Sequence, residues 1–202
     1  MRSTIAAAVL GAALVVAAMS AQDARTSDSL ERPFPSNGRI RMDLSAGDYR
    51  ISGGQSNRIR LEWKVPVADP LPRVKVQADV RGADAAISSE YPGNNRFRML
   101  VEVPLQADLY VRLTAGDLRV EGVRGNKDIE LHAGDLDIDV GRPEDYRHVD
   151  AAVWVGDLTA EAFRVNKEGL FRSFDWNGSG PYRLHAHLKA GDLRLFSKSV
   201  SP

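Results

Sequence analysis

One short pattern recurs five times and limits the folds open to this chain. It first reads Leu44-Ser45-Ala46-Gly47-Asp48-Tyr49-Arg50-Ile51 and returns as Leu113-Thr114-Ala115-Gly116-Asp117-Leu118-Arg119-Val120. The third copy is Leu131-His132-Ala133-Gly134-Asp135-Leu136-Asp137-Ile138. A looser fourth is Val153-Trp154-Val155-Gly156-Asp157-Leu158-Thr159-Ala160, and the fifth is Leu188-Lys189-Ala190-Gly191-Asp192-Leu193-Arg194-Leu195. In each copy the apolar residues before and after Gly-Asp fall on opposite faces of one straight strand, because side chains alternate with a period of two. Both sets are apolar, so both are expected to face inward, the small residue before the glycine included. The Gly-Asp pair must therefore redirect the chain. Glycine supplies the positive φ of such a corner, and a short Asp side chain accepts backbone N–H bonds there.

Two architectures satisfy that phase. One is a two-residue hairpin with Gly first. The other is a corner repeated rung after rung, so that like residues pile into ladders. The recurring small residue favours the second. Successive aspartates lie 69, 18, 22 and 35 residues apart, so 18 and 22 suit one rung each and the longer gaps hold several rungs or insertions. Elsewhere apolar and charged residues alternate strictly, as in Ile40, Met42 and Leu44, in Ile59, Leu61 and Trp63, and in Leu184, Ala186 and Leu188. This is the pattern of half-buried strands. The expected fold is all-β, a β-solenoid-like ladder of stacked short strands, with an antiparallel β-sandwich or a meander of hairpins as the alternative.

The stretch Val101-Glu102-Val103-Pro104, followed by residues 107–125 with Gly116-Asp117-Leu118-Arg119-Val120-Glu121-Gly122-Val123-Arg124-Gly125, resembles the bacterial putative-adhesin family. The resemblance runs roughly from Gly38 to Phe196. It implies a secreted or envelope β-repeat domain and carries over no catalytic residues. Residues 164–183 depart from the rung rhythm.

The N-terminus pairs Arg2 with an uncharged run from Ile5 to Ala18, ending in Met19-Ser20-Ala21. This is the make-up of a secretory signal peptide, with cleavage expected after Ser20 or Ala21. The domain reading is a signal peptide over 1–21, a flexible polar lead-in over 22–37, a β-repeat domain over 38–196 and a tail over 197–202. Localisation is expected to be periplasmic or extracellular, with no membrane span after cleavage. The 202-residue chain has 27 basic and 27 acidic residues, which argues against nucleic-acid binding. It has no cysteine, which removes disulfides, thiolate metal sites and cysteine nucleophiles.

Four features invite chemistry. The repeated Gly-Asp suggests calcium, but each copy offers one carboxylate where a repeat site needs several oxygens. The aspartates are therefore expected to be turn caps. His185 and His187 lie two apart on one strand and could chelate a metal, yet no third ligand stands at a fitting offset along the chain, which leaves distant His132 or His148 to fold near, and a solvated polar face is the expected role. Phe171, Phe174, Trp176 and Tyr182 are expected to cap one end of the stack, with sugar stacking as the competing role. Arg39, Arg41, Arg58 and Arg60 occupy outward positions and are expected to carry contacts. No Gly-x-Ser-x-Gly elbow or phosphate loop is present. No catalytic, cofactor-binding or metal residue is assigned, and no cofactor is expected. The expected function is a non-enzymatic structural or interaction module contacting an envelope protein or a surface glycan. A carbohydrate-binding or hydrolytic domain using residues 171–182 is the alternative.

Overall fold

The computed structural model describes residues 26–65, 74–91, 97–168 and 170–198. The signal peptide, its cleavage site, residues 22–25 of the lead-in and residues 199–202 of the tail lie outside them. The described chain is all-β, with seventeen strands numbered along the sequence and divided between two sheets. The nine-stranded sheet runs, in spatial order, β1 (Ser27–Pro33), β4 (Arg58–Lys64), β7 (Arg98–Pro104), β3 (Asp48–Gly54), β9 (Leu118–Glu121), β11 (Leu136–Asp139), β17 (Leu193–Phe196), β13 (Leu158–Ala160) and β14 (Val165–Lys167). The eight-stranded sheet runs β15 (Leu170–Asn177), β12 (Tyr146–Val155), β16 (Tyr182–Ala190), β10 (Lys127–Ala133), β8 (Ala107–Ala115), β2 (Gly38–Leu44), β6 (Asp84–Glu90) and β5 (Lys75–Arg81). One hydrophobic cluster fills the space between the sheets, so the arrangement is a sandwich.

Each Gly-Asp copy carries the chain from one sheet to the other. β2, β8, β10, β12 and β16 lead into corners in the eight-stranded sheet; β3, β9, β11, β13 and β17 follow them in the nine-stranded sheet. The hairpin option is thereby excluded for these copies, because the strands flanking a corner do not pair with each other. The five copies stack in parallel register, but not in chain order: the fifth lies between the third and the fourth. This accounts for the uneven gaps along the sequence, since the insertions supply further strands, among them the antiparallel β4, β5, β14 and β15.

Register converts the repeat into ladders. Leu44, Leu113, Leu131, Leu188 and Val153 form one row on the inner face of the eight-stranded sheet. Opposite it stand Tyr49, Leu118, Leu136, Leu193 and Leu158, and next to those Ile51, Val120, Ile138, Leu195 and Ala160. All are buried. The small residue before each glycine differs from expectation: Ala46, Ala115, Ala133, Val155 and Ala190 lie at the rim and are partly or fully exposed, because the strand has already left the core there.

The corners themselves are close-packed backbone. A Cβ on Gly116 would meet the carbonyl oxygen of Gly47 at 2.0 Å, and one on Gly134 would meet that of Gly116 at 2.1 Å. Both glycines also hold positive φ, +109° and +124°. The aspartate beside each glycine ties the rungs together. The Asp117 carboxylate accepts the Asp135 backbone N–H at 3.2 Å, Asp135 accepts that of Asp192 at 3.2 Å, and Asp192 accepts that of Asp157 at 3.0 Å.

Residues 27–33 are not a flexible lead-in. They form edge strand β1, paired over its whole length with β4. Composition could not show this, because only Leu30 of the strand is even partly buried and the pairing is by backbone. Phe34 follows, fully buried, against Gly38, where a Cβ would come within 2.3 Å of its ring.

Glu121 ends β9 as a buried carboxylate. Burial alone would raise its pKa. Hydrogen bonds from Lys198, Arg119 and Arg50 outweigh that and hold it at about 2. Such a group stabilises the fold fully above its unfolded pKa of about 4.5, and the contribution fades as pH falls toward 2.

Two outcomes are expected. In urea unfolding, Gly134→Ala costs at least about 3 kcal/mol through clash and strain, whereas Asp135→Ala costs about 1 kcal/mol, the worth of one ladder hydrogen bond. Glu121→Gln lowers stability by about 2 kcal/mol at pH 7, and its deficit against the wild type shrinks between pH 4.5 and pH 2.

Candidate functional site

The two outer faces differ. On the nine-stranded sheet the charged residues are engaged with one another. Arg119 pairs with Glu121 at 2.9 Å and with Asp137 at 2.7 Å, Arg50 pairs with Glu121, and Arg98 reaches Asp48 at 3.5 Å. The pairs to buried Glu121 stabilise the fold, whereas the exposed Arg98–Asp48 pair contributes little. The four outward arginines are divided between the two faces. Arg39 and Arg41 lie on the eight-stranded sheet, Arg58 and Arg60 on the nine-stranded one. Arg39, Arg58 and Arg60 face Asp84, Glu31 and Glu62.

The outer face of the eight-stranded sheet carries the concentrated chemistry, on β10, β16 and β12. Across these strands Asp128, His185 and Asp150 share one register row, and Glu130, His187 and Ala152 the next. His185 Nδ1 lies 3.0 Å from Asp150 Oδ2, and His187 Nε2 lies 3.4 Å from the same oxygen. The two imidazole centroids are 3.8 Å apart. On β10, Asp128 and Glu130 face Arg112 of β8 at 3.1 and 3.2 Å. The third partner of the histidine pair is thus Asp150, 35 residues earlier in the sequence but opposite His185 in the sheet. His148 stands apart, with Nδ1 3.0 Å from the Asn177 side-chain oxygen.

A shallow hollow of about 270 Å³ adjoins this cluster, lined by Glu130, His132, Ala152, Trp154, His187 and Lys189 among others. At its edge the face turns apolar. Trp154 is 60% exposed and Phe171 73%, with ring centroids 6.1 Å apart, and Val155 and Leu170 pair beside them with both side chains exposed.

The aromatic segment 171–182 therefore divides. Phe174 is buried and Trp176 half-buried, both packed on Phe163 at 5.2 Å, where they close the sandwich edge between β14 and β15. Tyr182 packs edge-on against Tyr146 at 6.3 Å. Phe171 alone of the four faces solvent, beside Trp154, which the repeat had absorbed as a rung residue. The Gly-Asp carboxylates of Asp117, Asp135 and Asp192 each accept a neighbouring rung's N–H, the role of a turn cap.

A second polar feature lies inside one end of the sandwich. Lys127 is buried and donates to the Tyr146 hydroxyl at 2.8 Å. Burial lowers its pKa to about 8, against the opposing pull of Asp139, Asp108 and Asp145, and burial raises that of Tyr146.

No protein-family profile and no characterised protein sequence matches the chain. Solved structures do. A putative cell adhesion protein from Clostridium sporogenes is 12% identical, with a TM-score of 0.53 over 86% of this chain and 100% of that one. The two share a fold. A putative adhesin from Bacteroides fragilis is 8% identical over 86% of this chain and 99% of its own, with a TM-score of 0.28. A putative lipid binding protein from Parabacteroides distasonis is 8% identical over 85% and 97%, with a TM-score of 0.27. At those scores the second and third likenesses are loose. Among the described residues no helix is long and apolar enough to cross a membrane.

Proposed function

We propose that the protein is a non-enzymatic, adhesin-like interaction module of the cell envelope or exterior, a β-solenoid-like ladder that presents the outer face of its eight-stranded sheet to a partner. The observation that carries this is the pairing of exposed Trp154 and Phe171 at the edge of a polar hollow, on a sheet whose remaining apolar residues are largely buried. Exposed apolar patches rimmed by polar groups mark contact sites. The fold shared with a putative cell adhesion protein agrees with an interaction role.

The chemistry of the hollow fits a surface glycan. An indole offers a flat apolar face to the C–H side of a sugar ring, while Glu130, His132 and Lys189 offer hydroxyl partners within the same hollow. The hydrolytic alternative has less support, since a glycosidase needs two carboxylates flanking the scissile bond, whereas Asp128 and Glu130 are both engaged by Arg112.

The exported chain is expected to bind cell-surface glycans on an array and on intact envelopes. Trp154→Ala with Phe171→Ala should weaken that binding about 10-fold or more, as loss of a central aromatic anchor does. Trp176→Ala should act on stability, by exposing the sandwich edge. Binding unaltered in the double variant would place the contact elsewhere, and absence of binding to glycans and envelopes alike would remove the reading.

A further inference from the structure

We propose that Asp150, His185 and His187 form a binding site for a divalent transition-metal ion, with zinc as its natural occupant. The inference does not depend on the face being adhesive. The three side chains project from adjacent parallel strands, and one ligand atom from each lies within 4.8 Å of the other two. Zinc bonds to imidazole nitrogen and carboxylate oxygen are about 2.0–2.2 Å long, so two ligands of a tetrahedral ion stand about 3.3 Å apart. The two measured edges from Asp150 Oδ2, 3.0 Å to His185 and 3.4 Å to His187, bracket that value.

The surroundings favour the ion over a bare hydrogen-bonded trio. Two imidazoles and one carboxylate are borderline ligands that suit zinc, copper or nickel and disfavour calcium and magnesium, which take oxygen. Ala152 is the outward residue opposite His187, so the position facing that imidazole on β12 carries only a methyl group. Asp128 and Glu130 flank His185 from β10, with oxygens within 4.8 Å of a ring nitrogen, and their two carboxylates share the single guanidinium of Arg112, which leaves the flank net negative. Each of the three ligands keeps over a third of its side-chain surface exposed, so the ion's remaining position opens to solvent. An open position is the mark of a zinc that takes water or an incoming oxygen ligand, and His187 also borders the hollow.

The test is calorimetric titration of tag-free protein with zinc chloride in a non-coordinating buffer at pH 7.5, with cobalt(II) absorption reporting coordination number. One saturable zinc site per chain is expected, with a tetrahedral or five-coordinate cobalt spectrum and no competition from excess calcium. His187→Ala and Asp150→Asn should each weaken zinc binding at least 10-fold, while His148→Ala leaves it unchanged. All three are surface substitutions, and circular-dichroism melts of each variant confirm the fold. No saturable zinc binding in the wild type would overturn the proposal, as would binding that persists in both His187→Ala and Asp150→Asn.

Discussion

The close approach of backbone to backbone at the Gly-Asp corners is what the rest of the structure rests on. Neighbouring strands stand about 4.8 Å apart, and a turn linking two sheets must repeat at that spacing without side chains in the way. At Gly116, Gly134, Gly156 and Gly191 an added Cβ would overlap the carbonyl of the neighbouring corner. With the corners stacked this tightly, every residue before and after them is held in register. The leucine rows of the core are then a consequence: once one rung is aligned, the others have no freedom to slide. The aspartates add a second line of hydrogen bonds along the rim, which spends their charge on structure.

Much of this was legible in the sequence. The odd step between the two apolar pairs of each copy demanded a change of direction, and Tyr49 and Ile51 are buried as Leu44 is. The order of the rungs was not legible, because spacing along the chain carries no information about which copy lies beside which. The same limitation hid Asp150 from His185 and His187, since cross-strand neighbours are set by register. Strand β1 was invisible for a different reason. It joins the sheet by main-chain bonds and buries almost nothing, so no apolar alternation announces it. Trp154 looked like a rung residue because it occupies one, at the outward position where other copies carry Ser45, Thr114, His132 and Lys189, and there its indole stands in solvent.

The two faces divide labour along a physical line. On the nine-stranded sheet, arginine and acid side chains neutralise each other, and the buried Glu121 draws three cations onto one carboxylate. Such a surface has little left to offer a partner. On the eight-stranded sheet, acids, imidazoles and aromatics are crowded near one edge, where β15 is added outside β12 of the fourth rung. Insertions between repeats are the places where a ladder can vary without disturbing its core, and this chemistry sits beside one of them.

The placement of the fifth copy between the third and fourth also governs the order of assembly. Strands β12 and β13, with the hairpin partners β15 and β14, touch the remainder of each sheet only through β16 and β17. The first three rungs stack on one another in chain order, but in both sheets the fourth borders the rest of the ladder only along the fifth, so it lacks that neighbour until the final segment is in place. The molecule therefore closes like a drawer pushed home by its final segment. Its surface chemistry, which spans β10, β16 and β12, comes into being only at that moment.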